Sequence, residues 1–193
     1  MLTSTPEPLH PFAQALKDGE IVAYPCEGVW GLGCDPANPK AIDRLLALKQ
    51  RPYEKGLILV AANLEQLAPY IAPNYPALQQ AQWPGPHTYL IPASENCPWW
   101  IRGTADNPKV AARISAHPPV RALCKIFDGA ITSTSANPAQ MPPARSKQQV
   151  LDYFQGQIHW IMEGDIGSLK GATPIYDLEN QTHTRPPAGC DLP

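Results

Sequence analysis

The stretch that decides the fold is 38–60, which reads NPKAIDRLLALKQRPYEKGLILV. Asn38 is a good helix N-cap and Pro39 suits the first helical position, so a helix is predicted to begin here. Apolar residues then recur at helical spacing, and Pro52 ends the helix about two residues earlier. The apolar run 57–60 is continuous, as in a central strand that is covered on both faces. A helix that leads into such a strand indicates an α/β sheet protein.

The same alternation continues on both sides of this stretch. Further helices are predicted at 9–18, 63–71, 75–82, 118–127 and 146–154. Further strands are predicted at 21–24, 87–92, 110–114, 130–134, 158–162 and 175–178. Short strands that alternate with helices are typical of α/β folds, and we find no internal repeat, linker or second core. We therefore predict one α/β domain over residues 1–193.

Composition and charge exclude several classes of protein. The 24 Pro and 13 Gly residues are spread between apolar segments, which excludes a collagen or a proline-rich linker. The 15 Lys and Arg against 17 Asp and Glu give a net charge of −2, so no overall basic field points to nucleic acid. The five cysteines contain no C-x-x-C pair, and no apolar run is long enough to span a membrane. We expect a cytoplasmic protein with reduced thiols and no signal peptide.

Four segments could carry chemistry, and each has a structural alternative. Segment 24–35 passes through three glycines after a strand, where the backbone could approach a ligand or simply turn. Segment 48–56 places Lys and Arg at a helix end, where they suit either a polyphosphate or the helix dipole. Segment 132–137 puts four hydroxyls and an amide at a strand end, for a polar ligand or for the turn itself. Segment 83–88 is a rigid turn that we favour as structural, with Thr88 as its candidate ligand contact.

Motifs of several common chemistries do not occur. The sequence has no G-x-S-x-G elbow, no H-E-x-x-H helix and no P-loop, and its five histidines show no metal-ligand spacing. The pair Trp99-Trp100 is expected to pack or to form a rim, with base stacking as the alternative. A conventional nucleophile or metal centre is therefore not predicted.

In their order along the chain, these segments resemble the YrdC-like family, the threonylcarbamoyl-AMP synthases of the TsaC type. The resemblance covers roughly residues 12 to 185 and is carried by these motifs: Tyr24-Pro25-x-Glu27, Gly31-x-Gly33, Lys49-x-Arg51-Pro52, Lys55-Gly56-Leu57-Ile58-Leu59, Trp83-Pro84-Gly85-Pro86-x-Thr88, Val110-Ala111-x-Arg113, His117-Pro118 and Ser133-Thr134-Ser135-Ala136-Asn137. Each motif is weak alone, whereas the ordered set is specific. The family fold is a twisted, open, mixed β-sheet with flanking helices, in agreement with the pattern above.

The resemblance implies a reaction. L-threonine and bicarbonate (or CO2) form a carbamate that attacks the α-phosphate of ATP, and pyrophosphate leaves. Downstream transfer proteins then use the threonylcarbamoyl-AMP to modify adenosine 37 of tRNAs that read ANN codons. Mg2+ is expected to accompany ATP, with no protein ligand assigned, and weak tRNA binding is expected.

The resemblance also implies a set of site residues. The catalytic set would be Lys49, Arg51, Ser135 and Asn137. ATP would contact Arg51, Lys55, Asn137, Arg145 and Arg185. Threonine would contact Gly28, Arg113, Ser135 and Thr173, with Arg113 paired to its carboxylate. Glu27 is the candidate general base, with a structural role as the equal alternative.

Two departures from the family pattern and two other functions remain open at this point. Cys26 stands where the family usually has Thr, and Gly28 stands where a small polar residue or Ala is frequent. The alternative function is a non-catalytic RNA-binding module with the same fold. A third function is carbamoyl transfer, as in related domains of hydrogenase-maturation proteins, which carry zinc-finger and acylphosphatase modules that have no counterpart in this sequence.

Overall fold

The computed structural model describes residues 8–103 and 108–187, within which the helices and strands are as follows. The helices are α1 (His10–Lys17), α2 (Pro39–Lys49), α3 (Trp99–Arg102), α4 (Pro118–Phe127) and α5 (Lys147–Phe154). The strands are β1 (Val22–Pro25), β2 (Trp30–Gly33), β3 (Ile58–Ala61), β4 (Thr88–Pro92), β5 (Lys109–Ile114), β6 (Ile131–Ser135), β7 (Trp160–Ile161), β8 (Ile175–Asp177) and β9 (Thr182–Arg185). Among the described helices, none combines the length and the apolar character that a membrane crossing requires.

The strands form one mixed sheet in the order β7-β1-β2-β6-β3-β5-β4-β8-β9. Parallel pairing joins β1 to β7, β3 to β5 and β4 to β8, and the other neighbouring strands are antiparallel. β3, the apolar run that suggested a central strand, lies between β6 and β5. The predicted fold class, an α/β protein with an open mixed sheet and flanking helices, is confirmed.

Helices cover both faces of the sheet, and β3 shows how the sequence achieves this. Leu59 and Ala61 belong to a core cluster that includes the apolar faces of α2 and α5. Val60 belongs to a second cluster, formed with α1 and α4. Since successive strand residues point to opposite faces, a continuous apolar run is needed where both faces are buried.

Side-chain caps at two helices follow the sequence pattern. Asn38 Oδ1 accepts hydrogen bonds from the Lys40 and Ala41 amides at 3.1 and 3.3 Å, and α2 ends at Gln50 in the left-handed conformation. At α5, the Ser146 hydroxyl accepts from the Gln149 amide at 3.2 Å. Each cap satisfies amides that the first helical turn leaves without a partner.

Two predicted helices are wrong. Residues 65–70 form consecutive turns and Ile71 forms an isolated β-bridge with Ala93, while 75–82 contain only the short 3-10 helix Pro76–Gln80. Pro69 lacks an amide hydrogen and its ring opposes a continuous α-helix in the first segment. In the second segment the backbone closes i to i+3 bonds, such as Leu78 N to Tyr75 O at 3.1 Å.

The glycine-rich segment 24–35 contains a strand that the sequence did not indicate. Gly31 and Gly33 lie in β2, directly beside the ring of fully buried Tyr24 on β1. A Cβ at Gly31 would lie 2.9 Å from Tyr24 Cε2, and one at Gly33 would lie 2.3 Å from Thr132 O. These glycines therefore make room for a packed aromatic ring and a neighbouring strand.

Candidate functional site

A cavity of about 270 Å³ lies between the β1–β2 connection, the end of β6, the loop before β3, β5 and the segment that leads into β8. Its lining carries six cationic side chains, Arg51, Lys55, Arg102, Lys109, Arg113 and Arg185. Glu27 is the single carboxylate among the described lining residues. Although the chain has a net charge of −2, this cavity is strongly electropositive and suits a ligand with several negative charges.

Glu27 lies at the inner end of the cavity and has both carboxylate oxygens engaged. Its Oε1 accepts from the Ser115 hydroxyl at 2.6 Å, and its Oε2 accepts from the Cys26 thiol at 2.8 Å and faces Arg113 Nη2 at 3.3 Å. Burial alone would raise the pKa of Glu27, but the Arg113 charge and these hydrogen bonds outweigh it and hold the pKa below its ordinary value. A carboxylate so placed is a poor proton acceptor, and it orients Arg113.

Arg113 is fixed on two further sides. Its Nη1 donates to Thr173 Oγ1 at 2.7 Å, and its Nη2 also lies 3.1 Å from Cys26 Sγ. Thr173 Oγ1 in turn shares a hydrogen bond of 2.9 Å with Thr88 Oγ1. The Nε of Arg113 is buried and has no partner among the described residues. With its terminal nitrogens engaged by Thr173, Cys26 and Glu27, the guanidinium is held in one orientation at the cavity wall.

Arg185 enters the same cavity from β9, the last described strand. Its Nε donates to the Thr173 carbonyl at 2.8 Å, which joins β9 to the segment that carries Thr173. Burial, and then the charges of Arg113 and Arg51, lower the pKa of Arg185 to about 10. Mutual repulsion of cations in a buried space is relieved when an anion binds between them.

Lys49 holds the end of β6 through hydrogen bonds. Its ammonium donates to the carbonyls of Ser135 and Asn137 and to Asn137 Oδ1, the last at 3.0 Å. The Ser135 hydroxyl donates to the same Asn137 Oδ1 at 2.6 Å. Burial, and then the charge of Arg51, lower the pKa of Lys49 to about 8. All three ammonium donors are therefore used within the protein, so Lys49 holds the loop that presents Ser135.

The loop between α2 and β3 carries two of the cavity's cations. Arg51 folds back on this loop, with Nη2 3.0 Å and Nε 3.3 Å from the Gly56 carbonyl. Lys55 is exposed at the cavity wall. The helix-dipole alternative does not account for these positions, because both side chains line a concave cationic space.

An irregular segment, 164–172, lies across the β1–β2 connection, and we call it the strap. Gly167 N donates to Cys26 O at 2.8 Å, and Leu169 N donates to Glu27 O at 3.0 Å. A Cβ at Gly28 would lie 2.3 Å from Gly171 O. Gly28 therefore allows the strap to close this side of the cavity.

Most of the expected site residues meet at the cavity. The lining includes Gly28, Arg51, Lys55, Arg113, Ser135, Thr173 and Arg185. Three others stand outside it: Lys49, Asn137 and Arg145. The first two support the loop after β6, and Arg145 Nη1 donates to the strap carbonyl of Lys170 at 3.0 Å. No contact in the structure assigns a ligand to any of them.

Two cationic lining residues, Lys109 and Arg102, were not expected from the sequence. Lys109 is paired with Asp177 at 2.8 Å and Glu179 at 2.6 Å. It stands four residues before Arg113 on β5, so the alternation of side chains along a strand could have indicated it. Arg102 follows the Trp pair, and nothing in the local pattern indicates that this segment reaches the cavity.

The aromatic pair and the cysteine beside Glu27 have clear structural roles. Trp100 Nε1 donates to Pro36 O at 3.1 Å, while Trp99 lies 46% exposed and its ring centroid is 5.2 Å from that of Tyr53. Trp100 is therefore packed against the protein, and Trp99 lies at the rim. Burial, together with the neighbouring Glu27 charge, raises the pKa of Cys26 to about 12, so its thiol stays protonated and is not an activated nucleophile.

Comparison with known proteins places this cavity in a family context. Residues 14–185 match the Sua5/YciO/YrdC family model, whose description is "Telomere recombination". The threonylcarbamoyl-AMP synthase of Halorhodospira halophila is 48% identical over 176 residues, which span 90% of this chain and 91% of that protein. The threonylcarbamoyl-AMP synthase of Cellvibrio japonicus is 44% identical over 178 residues, with 90% and 93% of the two chains covered.

Solved structures show the same architecture. P. abyssi Sua5 complexed with L-threonine superposes with a TM-score of 0.82 at 30% identity over 89% of this chain. The match spans 51% of the Sua5 chain, so this chain corresponds to about half of that protein. E. coli YciO shares the fold at a TM-score of 0.80 and 19% identity, with 96% of this chain and 94% of that chain covered.

Proposed function

The chain belongs to the Sua5/YciO/YrdC family, and on this basis we propose that it is a threonylcarbamoyl-AMP synthase. It is thus an enzyme that forms an adenylate, a nucleotidyltransferase. The observation that carries the proposal is the cavity lined by six cations, of which Arg51, Lys55, Arg102 and Arg185 have no carboxylate partner among the described residues. That charge balance fits a nucleoside triphosphate together with an amino acid carboxylate.

The proposed reaction needs no nucleophile from the protein. The amine of L-threonine and bicarbonate condense to a carbamate with loss of water. A carbamate oxygen then forms a bond to the α-phosphorus of ATP, the bond from this phosphorus to the bridging oxygen breaks, and pyrophosphate leaves with that oxygen. The protein's contribution is to position the two substrates and to stabilise the negative charge that moves toward pyrophosphate.

Arg113 is proposed to bind the threonine carboxylate. Its Nε is buried and unpaired, and Glu27, Thr173 and Cys26 fix the rest of the guanidinium. A guanidinium charge held in one orientation at the cavity wall suits a carboxylate. The name of the P. abyssi Sua5 complex with L-threonine supports threonine as the amino acid.

The phosphates of ATP are proposed to lie against Arg51 and Lys55, with Arg185 facing them across the cavity. These cations line the cavity, and no carboxylate of the described residues pairs with them. Ser135 contacts the reacting groups at the end of β6. Lys49 and Asn137 act through the Ser135 loop, which makes them positioning residues.

Mg2+ is proposed to arrive with ATP as part of the substrate. Among the described residues, no three His, Cys, Asp or Glu side chains converge in a way that could hold a metal ion. Glu27, the one carboxylate that lines the cavity in the described part of the chain, is engaged by Arg113, Ser115 and Cys26. Mg2+ often keeps several waters and binds substrate phosphates, so MgATP fits this wall without a protein ligand.

The product is proposed to serve tRNA modification. Downstream transfer proteins would pass the threonylcarbamoyl group to adenosine 37 of tRNAs that read ANN codons; the names of the curated relatives support the threonylcarbamoyl-AMP that this step would use. The described cysteines Cys26, Cys34, Cys97 and Cys124 are free thiols, which fits a reducing compartment such as the cytoplasm.

A non-catalytic RNA-binding module is the other candidate, and the distribution of charge favours the enzyme. The cations are gathered inside a cavity of about 270 Å³, whereas RNA binding uses a basic patch or stripe on an open face. Weak tRNA binding would be seen as an affinity that falls steeply with salt concentration.

The proposed function is tested by pyrophosphate release from MgATP with the purified chain. Release should require L-threonine and bicarbonate together, and omission of either should reduce it to background. L-serine in place of threonine serves as the control for the amino acid. Pyrophosphate release that does not respond to threonine or bicarbonate contradicts the proposal.

A further inference from the structure

Two loops pack backbone to backbone beside the cavity, and two glycines make this contact. Gly56, with φ +59°, would place a Cβ 2.5 Å from Ile101 O. Gly103, with φ +74°, would place one 2.6 Å from Glu54 O. Leu57 N also donates to Ile101 O at 3.0 Å. The loop before β3 and the end of α3 are therefore held at a fixed distance, with no side chain between them.

Arg102 lies at this junction and has an unsatisfied donor. It lines the cavity, and its Nε is buried without a hydrogen-bond partner among the described residues. The nearest cation along the paired loop is Lys55, and Glu27, the one carboxylate among the described lining residues, is paired with Arg113. Among the described residues no carboxylate pairs with Arg102, so its charge is available to an anionic ligand in the cavity.

Backbone pairing shows how far Arg102 lies from Arg113 along the sheet. Val60 of β3 pairs with Arg113 of β5, and Leu57, which binds the backbone of Ile101, stands three residues before Val60. Three residues of extended chain span about 10 Å. The junction that carries Arg102 is thus about 10 Å along the sheet from Arg113, and it includes the loop of Lys55, which the proposed function places against the phosphates.

We propose that Arg102 contacts the terminal phosphates of ATP and the departing pyrophosphate, an inference that rests on the proposed function. In that reaction the α-phosphorus lies next to the carbamate, near Arg113. The β- and γ-phosphates then extend away from Arg113, toward the junction of the two loops. Arg102 therefore stabilises charge that grows on the leaving group.

Binding measurements with a series of phosphate ligands test this role. Titration calorimetry of the full chain with AMP, ATP and pyrophosphate separates the contribution of the α-phosphate to affinity from that of the terminal phosphates. Arg102→Ala and Arg102→Gln should each weaken ATP and pyrophosphate by roughly 10- to 100-fold and leave AMP within about twofold. Arg102→Lys keeps the charge without the planar fork, and it should lie between these variants and the native chain.

Arg121→Ala is the matched control, since Arg121 is exposed on α4 and does not line the cavity. It should leave all three affinities unchanged. An equal loss for AMP and ATP in Arg102→Gln, or no loss for any ligand, overturns the inference. Unchanged AMP affinity also reports that the variant is folded. If the native chain shows no threonine-dependent turnover while the selective loss is seen, the proposed function fails and the phosphate contact stands.

Discussion

Arg113 Nη2 lies 3.3 Å from Glu27 Oε2, and the two side chains are only 4% and 8% exposed. Burial of two charges is expensive, and the pair persists because Ser115, Cys26 and Thr173 satisfy further donors and acceptors around it. This pair joins the β1–β2 connection to β5. It also holds the Arg113 guanidinium in one position in the cavity wall.

Glu27→Gln tests the pair through stability. The variant leaves the Arg113 charge buried without its partner, so the free energy of unfolding should fall by about 3 kcal/mol. Denaturant unfolding measures the change. The control is Glu20→Gln, which breaks the exposed pair with Arg44, whose side chains are 33% and 51% exposed. That loss should stay below about 1 kcal/mol, and equal losses for the two variants would contradict the account.

Arg113→Lys tests the site for the amino acid. A lysine keeps the charge but loses the planar fork that Glu27 and Thr173 orient. The KM for threonine should rise at least about tenfold, while the affinity for ATP measured without threonine changes little. Steady-state kinetics and titration calorimetry report the two quantities. A variant that loses ATP affinity and retains its threonine KM would show that Arg113 faces the nucleotide.

The Lys49 ammonium predicts an alkaline limit of activity. Burial, and then the Arg51 charge, hold the pKa of Lys49 at about 8, below its ordinary 10.5. As pH rises through about 8 the folded protein loses this proton, and the loop that carries Ser135 loses a donor. Turnover should therefore fall with an apparent pKa near 8.

Stability should change in the opposite direction over this range. Between about 8 and 10.5 the unfolded chain still binds the Lys49 proton that the folded chain has released, so this group's contribution to unfolding free energy rises with pH. Parallel pH profiles of activity and of denaturant unfolding measure both. A flat activity profile from pH 7 to 9.5 would show that the charge of Lys49 is not needed.

Gly28→Ala tests the strap. The added Cβ would lie 2.3 Å from Gly171 O and 2.6 Å from Leu169 O, so the strap must move. Overpacking of this kind costs about 1–3 kcal/mol of stability, and threonine-dependent activity should be reduced rather than lost, because Ala is frequent at this position in the family. Gly156→Ala is the control, because at φ +84° it is strained, but its Cβ meets nothing within 4 Å. It should lose a similar amount of stability and keep its activity.

The order of helices and strands was largely predictable because it depends on local chemistry. Asn38 and Ser146 cap their own helices, and the continuous apolar run 57–60 is the pattern of a strand that is buried on both faces. Predicted helices failed at 63–71, where Pro69 interrupts the segment, and at 75–82, where the chain forms only a short 3-10 helix. The strand that holds Gly31 was not predicted. A glycine is needed there because the ring of Tyr24 packs against it, and Tyr24 lies on another strand.

The site was predictable only in part, for the same physical reason. The resemblance indicated Arg113, Thr173 and Arg185, and the structure brings all three to one cavity. Arg102 was out of reach of the sequence, since its position depends on the contact of two glycines that are 47 residues apart, Gly56 and Gly103. Non-local backbone packing leaves no pattern in a local window.

The most direct test of the central claim is mass spectrometry of the product made from 13C-bicarbonate, L-threonine and MgATP. The account predicts one adenylate whose mass equals AMP joined to threonine through one carbonyl, and this mass should shift by the single labelled carbon. It should be absent when threonine or bicarbonate is omitted. An adenylate that contains threonine without the labelled carbon, or no threonine-containing adenylate at all, would contradict the account.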